Sequence, residues 1–350
     1  MIIELDENFS ALQVYLNESS FDQLFFLVDE NTHQYCLPLI LSNLETDIPF
    51  EIIEIESGEE MKNIQTATQL WEILTEMNAT RNSLLINVGG GVITDMGGFV
   101  ASTYKRGIAF INLPTTLLAM VDASIGGKTG IDLLHYKNIV GTFAQPEHIM
   151  VFQGFLRTLD YTQLCSGFAE MLKHGLIYNR EHWSNLSDLR ELDADQLLDM
   201  IPVSMNIKQE VVDQDFDEKN IRKILNFGHT IGHAVESLFL QKGNPIFHGE
   251  AVAIGMICES HLAYLEGLLD LESHQHIVHI IQKFFPYITI SHLYNDEILA
   301  LMAHDKKNTS NTINFSLINS IGSCIYNHHS NEENITKALE FYRNLRHKES

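Results

Sequence analysis

Between Leu84 and Tyr104 the chain commits to one local geometry. The apolar run LLINV (84–88) reads as a buried strand, stops on Gly89, Gly90 and Gly91, and gives way to helical spacing over 93–104. A strand that turns on glycines into a helix opens a strand–helix–strand unit, whose next strand lies parallel to the first. The neighbouring segments repeat the alternation. FFLVD (25–29), FEIIEI (50–55) and IAFINLP (108–114) are strand candidates, and helical spacing with few breakers covers 59–77. This part is expected to be an α/β domain with helices on both faces of a parallel sheet. Later the periodicity is mainly helical, over 162–178, 194–214, 220–240 and 249–266, with a short hairpin near 314–326 and a last helix over 332–346. The expected domains are 1–150 and 151–350. No linker rich in Pro, Gly or Ser separates them, so they are expected to pack closely, with a ligand in the cleft between them.

Charge narrows the function. Lys and Arg number 22 against 46 Asp and Glu, a net charge of −24. Such a field repels nucleic acid and acidic membranes. It also makes any local gathering of cations informative, as the mark of a small-anion site. The four cysteines (Cys36, Cys165, Cys258, Cys324) form no CxxC pair, which excludes zinc-ribbon and redox motifs. No apolar run reaches the ~20 residues of a membrane helix, and the acidic start MIIELDENFS is unlike a signal peptide. The expected location is cytoplasmic.

Residues fit for chemistry cluster in a few segments. The glycines at 89–91 can bring backbone N–H groups to a diphosphate at a helix N-terminus, although the spacing is not GxGxxG. Asp95 lies one turn into that helix. Asp29, at a strand end, can accept from a ribose hydroxyl. PTTLLAMVDASIGGKTGID (114–132) places Thr115, Thr116, Asp122, Ser124 and Lys128 around flexible glycines, and Lys137-Asn138 follows; together these read as an anion cradle. GFAEMLKHGLI (167–177) sets Glu170 and Lys173 at i,i+3, a spacing that a surface salt bridge would also explain. NFGHTIGHAVES (226–237) sets His229 and His233 at i,i+4, and FHGEAVAIGM (247–256) adds His248 and Glu250. Two helical histidines, a third and an upstream Glu suit a His/His/Glu metal site with an open position. Spacing alone does not say which two histidines bind.

Taken in series, GGGVITDMGGFVASTYKRG, LPTTLLAMVDASIGGKTGID, YKNIVGTF, SGFAEMLKHGLI, ILNFGHTIGHAVES and HGEAVAIGM resemble the 3-dehydroquinate synthases of the sugar phosphate cyclase superfamily, over about residues 20–320. The resemblance implies a Rossmann-like NAD-binding domain followed by a mostly α-helical metal- and substrate-binding domain. It implies NAD contacts from Asp29, Glu59, Lys62, Gly90, Gly91, Val92, Asp95, Thr115, Thr116, Asp122, Lys137 and Thr158. It implies a divalent zinc or cobalt ion on Glu170, His229 and His248, with His233 and Glu218 moving protons. Substrate would be held by Lys128, Asn138, Lys173, Lys208, Arg222, Asn226 and Lys306 or Lys307, and Arg106 would reach a neighbouring subunit's site in a homodimer. The implied enzyme is a carbon–oxygen lyase acting on 3-deoxy-D-arabino-heptulosonate 7-phosphate. Transient oxidation by NAD, β-elimination of phosphate, re-reduction, ring opening and an internal aldol closure would give 3-dehydroquinate, on the route to chorismate and the aromatic amino acids. The alternatives are another sugar phosphate cyclase, a metal-dependent polyol dehydrogenase of related fold, and an inactive relative serving as a binding protein. Thr94, Met96 and Tyr136 depart from the family's usual glycine, leucine and glycine.

Overall fold

The structure is a computed structural model, described here for residues 1–134, 136–304 and 313–345. Its chain divides into two compact units, Met1–Asp160 and Tyr161–Ser350.

The first unit is built on strands β1 (Ile2–Glu4), β2 (Leu24–Asp29), β3 (Phe50–Ile55), β4 (Leu84–Gly89) and β5 (Ala109–Pro114), a hairpin of β6 (Lys128–Leu133) and β7 (Tyr136–Phe143), and β8 (Ile149–Val151). Six of them form one parallel sheet in the order β1-β8-β5-β4-β2-β3. β2 and β4 are covered on both faces, so LFFLVD and LLINVG run apolar without alternating. From β2 the chain steps outward to β3, then returns across β2 to lay down β4. The order therefore reverses between β2 and β4, and open α/β sheets bind ligands at the carboxyl ends of the strands at such a point. Asp29 ends β2 there and Gly89 ends β4. The helix Gly91–Thr103 packs onto the sheet through Ile93, Met96 and Val100, in one buried cluster with Leu85 and Phe110 of the sheet and Leu70 of the preceding helix. Met96 is fully buried in that core, where methionine conserves leucine's volume.

Two segments of this unit differ from the periodicity. The helix expected over 59–77 is a short 3₁₀ turn at Glu59–Met61 followed by a helix at Ile64–Glu76. Asn63 caps the second, accepting from the Thr66 N–H at 2.9 Å, so Lys62 falls in the break between them. From Lys128 onward the glycine-rich stretch is not an open loop but the β6–β7 hairpin, paired Lys128↔Phe143 through Ile131↔Val140 and tied to the break by Asp132 N–H donating to the Lys62 carbonyl at 2.8 Å.

The second unit is mainly helical. Its principal helices are Tyr161–Tyr178, Ile201–Gln214, His229–Gln241, His248–Leu265, Leu271–Phe284, Asn295–His304 and Glu332–Asn344, with one hairpin of β9 (Asn314–Ser320) and β10 (Ser323–His329). His248–Leu265 is buried around most of its circumference and forms the unit's centre. The helix expected over 194–214 is broken before Pro202, which sits in the first turn of Ile201–Gln214, where a missing N–H costs nothing. The helix expected over 220–240 is broken too. A 3₁₀ segment, Ile221–Asn226, ends at Phe227, and Gly228 takes φ 79° before the helix restarts at His229. That left-handed step, easy only for glycine, sets where His229 points.

Candidate active site

In the second unit, residues distant in sequence converge. Glu170 comes from the middle of Tyr161–Tyr178, while His229 and His248 are each the first residue of their helices. One ligand atom from each lies within 4.8 Å of the other two. Glu170 is 0 % exposed; its Oε1 stands 3.4 Å from His229 Nε2 and 3.4 Å from His248 Nε2 and accepts no hydrogen bond among the described residues. Two imidazoles and a carboxylate facing one point, with a buried oxygen left over, suit a divalent cation with an open coordination position. The other carboxylate oxygen forms an ion pair with Lys173, buried beside it at i,i+3.

The protonation states of Glu170 and His229 suit this use, while His248 must release a proton to bind a cation. Burial pushes the Glu170 carboxyl up, but the Lys173 ammonium and His229 outweigh it and hold the acid well below its usual range. Burial, reinforced by Lys173, lowers His229 and keeps it neutral. His229 Nδ1 is 3.1 Å from the Phe227 carbonyl, which can only accept, so Nδ1 carries the proton and Nε2 presents its lone pair. Burial pulls His248 down, but Glu170 and Glu236 raise it to about 10. Glu236 Oε2 lies 3.7 Å from His248 Nδ1 and so orients that ring from behind. His233 lies beside both rings, 4.9 Å from His229 and 5.9 Å from His248 between centroids. His233, Glu236 and His248 form a second close donor group.

Lys208 and Arg222 sit on the elements just before His229. Lys208 is buried on Ile201–Gln214. Arg222 and Asn226 lie on the 3₁₀ segment, and Glu218 on the turn that precedes it. Asp215 folds that turn, accepting N–H bonds from Lys219 (3.0 Å), Asn220 (2.6 Å) and Arg222 (3.1 Å). Asn226 Nδ2 donates to Glu218 Oε1 at 2.9 Å, and Glu218 itself has φ 57°.

In the first unit Gly90 precedes the helix Gly91–Thr103, so Gly91, Val92 and the residues after them offer N–H groups at the switch point. Asp29 caps the short helix Glu30–Tyr35, Oδ1 accepting from Thr32 at 2.8 Å. Asp95 pairs with Lys62 at 2.6 Å, and the same ammonium donates to Asn138 Oδ1 at 2.6 Å. Burial disfavours the Lys62 charge, but Asp95 and Glu59 raise the ammonium above its ordinary value. Lys137 faces Glu59 at 3.5 Å. Thr115 N–H donates to the Gly89 carbonyl at 3.0 Å, and Thr116 Oγ1 accepts from Ala119 at 3.2 Å, one turn before Asp122. Lys128 begins β6, Thr158 ends the 3₁₀ turn Gln153–Thr158, and Arg106 has φ 69° after the helix Gly91–Thr103. Thr94 returns its hydroxyl to the Gly90 and Gly91 carbonyls, so its departure from glycine closes on its own helix. Lys306 and Lys307 lie outside the described residues.

Residues 52–166 match the family model for the 3-dehydroquinate synthase N-terminal region, and residues 167–308 that for its C-terminal region. A 3-dehydroquinate synthase of Parabacteroides distasonis is 43% identical over 95% of this chain and 95% of its own. The chain belongs to the 3-dehydroquinate synthase family. Another family member, from Campylobacter concisus, is 38% identical over 97% of this chain and 99% of its own. Among solved structures, 2-epi-5-epi-valiolone synthase from Streptomyces hygroscopicus subsp. jinggangensis, with NAD+ and Zn2+ bound, superposes with a TM-score of 0.88 at 25% identity, covering 98% of this chain and 96% of that one. A 2-deoxy-scyllo-inosose synthase complexed with carbaglucose-6-phosphate, NAD+ and Co2+ gives 0.82 at 25% identity, over 97% and 96%. Glycerol dehydrogenase from Schizosaccharomyces pombe, 15% identical at 0.68, shares the fold. Sequence reasoning missed Glu236, Asp215 and Glu259. Glu236 follows His229 and His233 by seven and three residues, a helical spacing that could have exposed it. Asp215 and Glu259 act through backbone amides and leave no such signal.

Proposed function

We propose that this protein converts 3-deoxy-D-arabino-heptulosonate 7-phosphate to 3-dehydroquinate and phosphate, as a carbon–oxygen lyase using NAD and one divalent metal. The observation that carries the reading is the convergence of Glu170, His229 and His248 on one point, in a chain of this family. When bound, the metal supplies Lewis acidity at a substrate hydroxyl, and NAD supplies a hydride acceptor that ends the cycle unchanged.

This chain's own residues do the rest. Glu170, His229 and His248 hold the metal, and Lys173 balances the buried Glu170 charge. The N–H groups opening Gly91–Thr103 receive the nucleotide diphosphate, with Asp29 toward the ribose and Glu59, Lys62, Asp95, Thr115, Thr116, Asp122, Lys137 and Thr158 around the cofactor. Lys208, Arg222 and Asn226 orient a carboxylate and hydroxyls, Lys128 neutralises phosphate and Asn138 hydrogen-bonds to it, so binding is mostly positioning and electrostatics. His233 Nε2 or Nδ1 and the Glu218 carboxylate move protons. Arg106 would reach across a homodimer, and the location would be cytoplasmic; no helix among the described residues is long and apolar enough to cross a membrane.

The relative at 43% identity is a dehydroquinate synthase, whereas the valiolone and inosose synthases stand at 25%, which favours the heptulosonate substrate over theirs. The test is phosphate release and product formation from the heptulosonate phosphate with NAD and zinc present. Stoichiometric dehydroquinate without net NADH is expected. Steady NADH accumulation without phosphate release would instead make the protein a dehydrogenase.

A further inference from the structure

Glu259 has no part in the chemistry described above, yet its surroundings tie it to the metal centre. It lies on His248–Leu265, eleven residues beyond His248, and is 0 % exposed. Its Oε2 accepts the Gly228 N–H at 2.6 Å and its Oε1 the Ile231 N–H at 2.9 Å. These amides flank the start of the helix His229–Gln241, where the first N–H groups have no backbone acceptor of their own. No side chain of that helix's own N-cap fills the role, because the cap is Gly228. A carboxylate from one helix therefore caps the N-terminus of another, and each of the two helices begins with an imidazole of the metal site.

The helices are pressed together at the same place. A Cβ at Gly255 would stand 1.8 Å from the Gly228 carbonyl oxygen, so only glycine fits there. Close backbone contact below and a two-pronged carboxylate above leave the Phe227–Gly228–His229 segment little freedom. That segment carries both the carbonyl that fixes the His229 tautomer and His229 itself.

We infer that Glu259 is a positioning residue of the metal centre, holding the His229 backbone in register with His248. The inference rests on the metal reading proposed above. Affinity for Zn2+ is measured on the full chain by competition with a chelator, for the wild type, Glu259→Gln, His229→Ala and Leu197→Ala, the last a buried residue on the separate helix Ala194–Leu197, chosen to lower Tm. Glu259→Gln, which keeps one acceptor and loses the charge, is expected to weaken zinc binding about tenfold, as loss of an outer partner does. Leu197→Ala is expected to leave affinity unchanged. Wild-type affinity in Glu259→Gln, or an equal loss in Leu197→Ala at the same fall in Tm, overturns the inference. Zinc retained by His229→Ala overturns the ligand assignment instead.

If Glu259→Gln does not fold, Glu259→Asp is measured the same way. It keeps the charge but is one methylene too short to span both amides, so a smaller loss is expected, and unchanged affinity overturns the inference. Amide exchange on the wild-type holoenzyme gives an independent reading. The Gly228 and Ile231 protons should be protected like helix-interior amides, and exchange at the rate of an open loop removes the proposed bonds.

Discussion

At the carboxyl ends of β2 and β4 the chain offers mostly backbone: a glycine turn, the open amides of one helix, and charges already balanced against one another, as Lys62 is by Asp95. Around Glu170 it offers side chains, drawn from three helices and aimed by breaks in the chain and by carboxylates reaching from neighbouring helices. The first arrangement suits a cofactor that brings its own reactive group and needs only a shaped, polar seat. The second suits a cation whose properties are set by donor positions to a few tenths of an ångström. The difference is one of tolerance: a backbone seat survives side-chain change, whereas a donor set does not.

The sharpest way to break that contrast is at the donors. His229→Ala is expected to take turnover to background and bound metal below detection by elemental analysis, while NAD titration of the variant still shows binding. Retained metal with near-normal turnover would end the ligand assignment, and lost NAD binding would end the contrast. In the first unit the large effect should fall on stability. Lys62→Met leaves Asp95 without its buried counter-charge and should cost about 3–5 kcal/mol in denaturant unfolding. A double Lys62→Met/Asp95→Leu variant should recover much of that. A single variant as stable as wild type would show the pair to be incidental. Glu236→Gln sharpens the comparison from the other side. Zinc affinity should fall about tenfold with little change in NAD binding, read by the same chelator competition.

The smallest effect concerns pH. Burial raises Asp215, but the three N–H donors and Arg222 outweigh it, so its folded pKa is lowered. Its stabilisation is then fully present above the unfolded value, about 3.9, and is lost as pH falls through the lower folded value. Asp215→Asn should therefore be less stable than wild type at pH 6, with the gap closing below about pH 4. A gap constant across that range in thermal unfolding would remove the carboxylate from the account.

Legibility in the sequence follows the same division. β4 and the helix after it could be read directly, because a buried apolar run and three glycines have few other uses. The lysine in the break at Lys62 could not be placed, since a capping asparagine cut short what spacing read as one continuous helix. The donor histidines were visible as a group, but their spacing left open which two act. That choice depends on Gly228, whose φ of 79° interrupts the helical pattern and puts His229 at a helix start. Glu259 was invisible because it binds amides some thirty residues away, and neither partner is marked by side-chain type. The β6–β7 hairpin was hidden behind its glycines, which suggested a loop: Gly126 and Gly127 do lie before β6 with positive φ, but Gly130 and Gly141 pair with each other within the strands.

The left-handed backbone at Glu218 carries a cost of its own. For a residue with a Cβ that conformation costs about 1–2 kcal/mol, and glycine would take it without strain. A chain selected for durability alone would put glycine at 218. Keeping glutamate there gives up thermal margin for a carboxylate held against Asn226, and makes the position one where thermostability and turnover should trade against each other.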